Sequence, residues 1–162
     1  DNSKENIKDW SNESEIKEYL RKIIRKEVFD KKGLIYGQGH AVYTISDPRA
    51  ILLRDKAESL AKEKGCTEEF NLYRTIEKLA PIVFAEEKNS DKQICTNVDF
   101  YSGFVYTMLN IPRELFTPIF AISRIAGWSA HRIEEIVSGG RIYRPAYKNV
   151  LERRDYIPID KR

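Results

Sequence analysis

His40 follows Gly37, Gln38 and Gly39 in the string GLIYGQGHAVYTISD. Glycines at 33, 37 and 39 let a backbone turn tightly or approach a ligand closely, so the imidazole is held where other groups can reach it. Such a histidine either serves as hydrogen-bond donor or general acid, or merely tethers the loop. Asp99 lies between Val98 and Phe100. That suggests an apolar setting, where desolvation would raise a carboxyl pKa toward the range useful to a general base; a helix N-cap is its plainer role. Arg124 interrupts the apolar stretch IFAISRIAGW, where an unpaired buried guanidinium is costly unless it meets a carboxylate or reaches water. Arginine's planar fork binds carboxylates bidentately. With Arg49 and Arg144, Arg124 could line a small cavity for a substrate with two carboxylates; structural ion pairs are the alternative. His131, between Trp128 and Glu134 on an amphipathic helix, reads as a packed structural histidine. Without paired histidines or clustered carboxylates at ligand spacing, no metal is expected.

Helices must position these groups. Asn12 and Glu15 form a capping-box pattern, and Ile16, Tyr19, Leu20, Ile23 and Ile24 predict a helix over 13–29. Its Arg21, Lys22, Arg25 and Lys26 read as a solvated face rather than a phosphate-binding stripe, because Glu18 and Glu27 dilute them. Residues 33–47 are a loop. Asp47 as N-cap, Pro48 at the first helical position and Gly65 as stop predict a helix over 48–64. A third runs from about Glu68 toward Lys88, with Pro81 expected to kink or divide it. VDFYSGFVYTML gives a fourth, with Asp99 in its first turn and its end before Pro112. The longest apolar helix spans roughly 118–137 and ends at Gly139 and Gly140. The last twenty-two residues read as an extended tail, and the fold class is all-α.

Composition narrows the function classes. Twenty-eight Lys and Arg against 25 Asp and Glu, interspersed along the chain, argue against nucleic acid as the main partner. Two isolated cysteines, Cys66 and Cys95, indicate neither a disulfide framework nor a zinc site. No apolar run approaches the ~18–20 residues of a bilayer-spanning helix, so a soluble, cytoplasmic protein with no membrane partner is expected. The start at Asp1, in a polar stretch, is expected of a piece cut from a longer protein.

Four strings in order, GHAVYTISDPRA, NVDFYSG, FAISRIAGWSAH and RIYRP, spanning residues 39 to 145, resemble the citrate synthase family. The resemblance implies a multihelical fold like that family's small domain. Residues 1–110 would form the domain that closes over the cleft, and residues 111–162 would return to a large domain whose main body precedes these motifs. It implies condensation of acetyl-CoA with oxaloacetate to citrate and CoA, with the CoA thioester as co-substrate and no tightly bound cofactor. Asp99 would take the methyl proton and His40 would polarise the oxaloacetate carbonyl. Arg49, Arg124 and Arg144 would hold carboxylates, the last in the neighbouring subunit of a homodimer. The backbone at Ile35, Gly37 and Gly39 would recognise the adenine. The family's second histidine, from an upstream motif, is missing, so the chain is an incomplete catalytic unit expected to be inactive alone.

Two departures stand out. Gln38 replaces an aromatic residue of many relatives, and Thr44 replaces a basic residue that in some meets a CoA phosphate. A methylcitrate synthase using propionyl-CoA shares nearly all these motifs. A helical interaction or nucleic-acid-binding module is the reading from a different class. The 118–137 helix, without its family partners, is expected to fold back on the smaller domain or to pair with a second copy.

Overall fold

The computed structural model describes residues 2–139, 155 and 157–161. Its elements are α1 (Asn2–Asn6), α2 (Glu13–Ile24), α3 (Pro48–Lys64), α4 (Thr67–Lys88), α5 (Val98–Met108) and α6 (Phe116–Ser138), with 3-10 turns at Arg113–Leu115 and Ile159–Lys161. The described residues hold no β-strand, only an isolated antiparallel bridge between Gln38 and Thr96. The all-α expectation stands. No described helix is long and apolar enough to cross a membrane. The chain divides into two units, Asp1–Ile119 and Phe120–Arg162.

In the first unit the helical stripes pair. Ile16, Leu20 and Ile23 of α2 pack against Leu72, Ile76, Leu79 and Val83 of α4. Covering a side chain such as Leu20 or Leu72 contributes roughly 1.5–3 kcal/mol, so this seam accounts for much of the core. A second cluster joins α3, α4 and α5. Ala57 and Ala61, one turn apart and fully covered, meet Phe70, Tyr101 and Phe104. Small residues there suit close packing against the large aromatic side chains. The Tyr101 hydroxyl donates to Glu77 Oε2 (2.7 Å), and burial, reinforced by that carboxylate, pushes the phenol's pKa well up.

Four local expectations change. The stretch before residue 12 forms α1 and buries Ile7 against the first cluster. Helix α2 stops at Ile24 instead of 29, because Lys26 turns left-handed (φ 65°), its N–H bonding Ile23 O and that of Glu27 bonding Lys22 O. This is a Schellman closure with lysine where glycine is usual. At its start, Asn12 caps Ser14 and Glu15, while the Glu15 carboxylate accepts from the amides of Lys8 and Asp9 rather than completing the capping box. Helix α4 runs unbroken through Pro81, whose neighbours Leu79, Ala80 and Val83 are anchored in the core.

On the basic face of α2 two of the four cations pair with α4, Arg21 with Glu86 and Arg25 gripping Glu87 through Nε and Nη2 at 2.7 and 2.8 Å. Helix α6 carries no buried residue, and Trp128 is 56% exposed. His131 is exposed beside Glu134 rather than packed.

Candidate active site

The glycine loop is fastened along the segment leading into α5. Gly39 N–H donates to Cys95 O (2.7 Å), Asn97 N–H to Gly37 O (2.9 Å), and Thr96 Oγ1 to Gln38 Oε1 (3.1 Å). Gln38 Nε2 is a buried donor without a partner among the described residues. Gly37 has φ 83°, and a Cβ there would stand 2.7 Å from Phe100 Cβ and Cδ2. Gly39 has φ 87° but open space around it. Gly37→Ala should therefore cost roughly 2–4 kcal/mol in denaturant unfolding, from backbone strain plus overlap, and Gly39→Ala only about 1–2 from strain. Equal losses in the two variants would contradict the packing of Gly37 on Phe100.

Asp47 ends the loop. Its side chain is fully covered, and its oxygens accept from four donors: Arg49 N–H (3.0 Å), Arg49 Nε (3.0 Å), Arg49 Nη2 (2.8 Å) and Val98 N–H (3.2 Å). One carboxylate thus caps α3, grips Arg49 bidentately and holds the first amide of α5. The Arg49 side-chain bonds depress the Asp47 pKa, outweighing burial, with the Arg49 amide, the Arg49 charge and the Val98 amide adding.

His40 Nδ1 accepts from the amides of Val42 (2.9 Å) and Tyr43 (3.1 Å). A nitrogen accepting two bonds carries no proton, which favours the tautomer with hydrogen on Nε2. Nε2 lies 3.2 Å from Arg49 Nη2. That is hydrogen-bond distance, so a guanidinium N–H also meets Nε2, the roles of the two groups depending on the tautomer. Tyr43 backs both, its ring 4.8 Å from the imidazole and 5.7 Å from the guanidinium.

Asp99 is exposed, not sheltered as Val98 and Phe100 suggest, because the start of α5 faces outward. The cap of α5 is Asn97, whose Oδ1 accepts the Asp99 amide (3.0 Å), so the Asp99 carboxylate is spared that duty. Its charge helps hold the Arg49 pKa up, after the larger effects of Asp47 bonding and opposing burial. Asp99 also lines a groove of about 650 Å³ with Gly37, Tyr36, Phe100, Lys4 and Arg113.

His40 and Arg49 are thus in contact, and the Asp99 charge acts on Arg49. Arg124 lies in the second unit. It is exposed and folds back on its own helix, Nη1 donating to Phe120 O (2.8 Å) with the guanidinium 5.0 Å from the Phe120 ring. Arg144 falls outside the described residues. Of the backbone at Ile35, Gly37 and Gly39, the Ile35 carbonyl takes Gln38 N–H and both polar groups of Gly39 are bonded, whereas the Gly37 N–H is unengaged among the described residues. Sequence reasoning missed the cross-links made by Asp47 and Asn97. Capping preference marked Asp47, but no local signal marks a bond to a residue 51 positions away.

Residues 3–146 match the family model described as citrate synthase, C-terminal domain. This chain belongs to the citrate synthase family. It is 42% identical over 146 residues to citrate synthase of Synechocystis, a match covering 90% of this chain and 35% of that one. It is 36% identical to 2-methylcitrate synthase of Shewanella oneidensis, over 96% of this chain and 38% of the relative. Among solved structures it is similar to citrate synthase of Thermoplasma acidophilum, determined in ternary complex with carboxymethyl coenzyme A and oxaloacetate. That likeness has a TM-score of 0.62 at 30% identity and covers 98% of this chain and 39% of the other. The chain therefore spans about a third of the length of the citrate synthases it matches.

Proposed function

We propose that this chain supplies His40, Arg49 and Asp99 to a citrate synthase that condenses acetyl-CoA with oxaloacetate. The observation that carries the reading is the contact of the His40 imidazole with the Arg49 fork at 3.2 Å, which sets a group able to bond a carbonyl beside one that binds carboxylates. A substrate carrying both groups fits such a pair. In this reading the keto oxygen of oxaloacetate accepts from His40, which draws charge off the carbonyl carbon, and a carboxylate lies against Arg49. Arg124 and Arg144 hold the remaining carboxylate charge. The thioester comes along the groove beside the Gly37 N–H. Asp99, its oxygens not used for capping, takes a proton from the acetyl methyl group. The resulting enol carbon forms a bond to the polarised carbonyl carbon, and citryl-CoA is then hydrolysed to citrate and CoA.

Donors fixed in advance where negative charge develops lower the barrier most, and the Asp47 and Tyr43 contacts hold these two in place. The enolate oxygen needs a donor from outside this chain's motifs, which agrees with a chain that spans about a third of its relatives. The reading is tested by grafting the chain in place of the matching part of the Synechocystis enzyme. A folded graft should form citrate, with acetyl-CoA preferred to propionyl-CoA. Preference for propionyl-CoA would instead favour the 2-methylcitrate reading that the Shewanella relative raises, and a folded graft inert with both thioesters would sink the proposal.

A further inference from the structure

Asn97 uses its whole side-chain amide. Oδ1 accepts the N–H of Asp99 at 3.0 Å, and Nδ2 donates to the carbonyl of Gly39 at 2.9 Å. The Gly39 carbonyl belongs to the peptide that leads into His40. Its own N–H adds a third bond, to Gly37 O at 2.9 Å. One side chain thus ties the backbone of the residue proposed as base to that of the residue proposed as carbonyl donor, 59 positions earlier in the chain. The amide orientation is fixed by this pattern, since one end meets only a donor and the other only an acceptor.

We propose that Asn97 is a positioning residue, setting the His40 imidazole against the Asp99 carboxylate by bridging their backbones. A helix cap alone needs only the oxygen: serine or aspartate serves as well as asparagine there. The second half of the amide has no capping task. It is spent on Gly39, and that bond orients the peptide plane from which the imidazole projects. If it is lost, the ring no longer has Val42 and Tyr43 amides in fixed register at Nδ1, and the Nε2–H form loses its advantage.

The inference rests on the proposed roles of His40 and Asp99, but its test is separate. Asn97→Ser keeps a capping oxygen and is too short to reach Gly39. Asn97→Asp keeps the cap and replaces the donor by an oxygen facing a carbonyl, so it serves if the serine variant folds poorly. Long-range proton–nitrogen NMR of the full chain reads which ring nitrogen carries hydrogen. In the unaltered chain His40 should give a single Nε2–H form. Both variants should show a mixture, while His131, the other of the two histidines, stays unchanged as an internal reference. In the graft, turnover should fall ~10–100-fold with the variants still folded at the assay temperature, the scale of a displaced catalytic group. An unaltered His40 spectrum in both variants, or unaltered turnover, overturns the proposal. Asp99→Ala that leaves turnover intact overturns the catalytic reading instead.

Discussion

Asp99→Ala should lower turnover of the graft by ~10²–10⁴-fold, the scale of a lost general base. The same change should leave folding stability within about 0.5 kcal/mol, because the carboxylate is exposed and the cap belongs to Asn97. Steady-state kinetics alongside denaturant unfolding checks both halves. A large kinetic loss without a thermodynamic one is the mark of a group kept for chemistry. Comparable losses in both, or neither, would return Asp99 to a structural role.

Asp47 should behave in the opposite way. Asp47→Ala removes the α3 cap, worth about 1 kcal/mol, and strands the Val98 amide, worth about 1–3 kcal/mol. The freed guanidinium of Arg49 is half exposed and adds little. A total near 2–4 kcal/mol is expected from denaturant unfolding. Asp47→Asn keeps the shape and isolates the charge. The folded carboxyl titrates below its ordinary value of 3.8 because Arg49 stabilises the anion. On acidification the unfolded chain takes up this proton first, so the charge's contribution is complete above about pH 5 and fades as pH falls through the depressed folded value. The gap in melting midpoint between the native chain and Asp47→Asn should be widest near neutrality and shrink below about pH 4. A gap independent of pH would mean that the anion contributes nothing.

Much of the framework was legible because it is local. The Asp47, Pro48 and Gly65 signals bound α3 correctly, and the stripes of α2 and α4 named the residues that now pack together. Where the reading failed, the deciding forces lie beyond neighbouring residues. The stop of α2 at Ile24 depends on Lys26 accepting a left-handed backbone, for which lysine gives no warning. Arg124 and Asp99 sit among apolar letters, but exposure is set by what packs against their helices, and periodicity shows only which face could be covered. The site was half legible for the same reason. His40 and Arg49 lie nine positions apart, whereas the bridge from Asn97 to Gly39 and that from Asp47 to Val98 join segments more than fifty positions apart.

The fastening of the glycine loop to Cys95, Thr96 and Asn97 bears on how fast and how firmly a ligand is captured. A segment already held by backbone bonds has little conformational freedom left to surrender, so association there forgoes the ordering penalty that a loose flap incurs. Crystals grown with and without coenzyme A should then trace residues 37–43 along nearly the same path, and most of the accommodation on occupancy should fall to side chains.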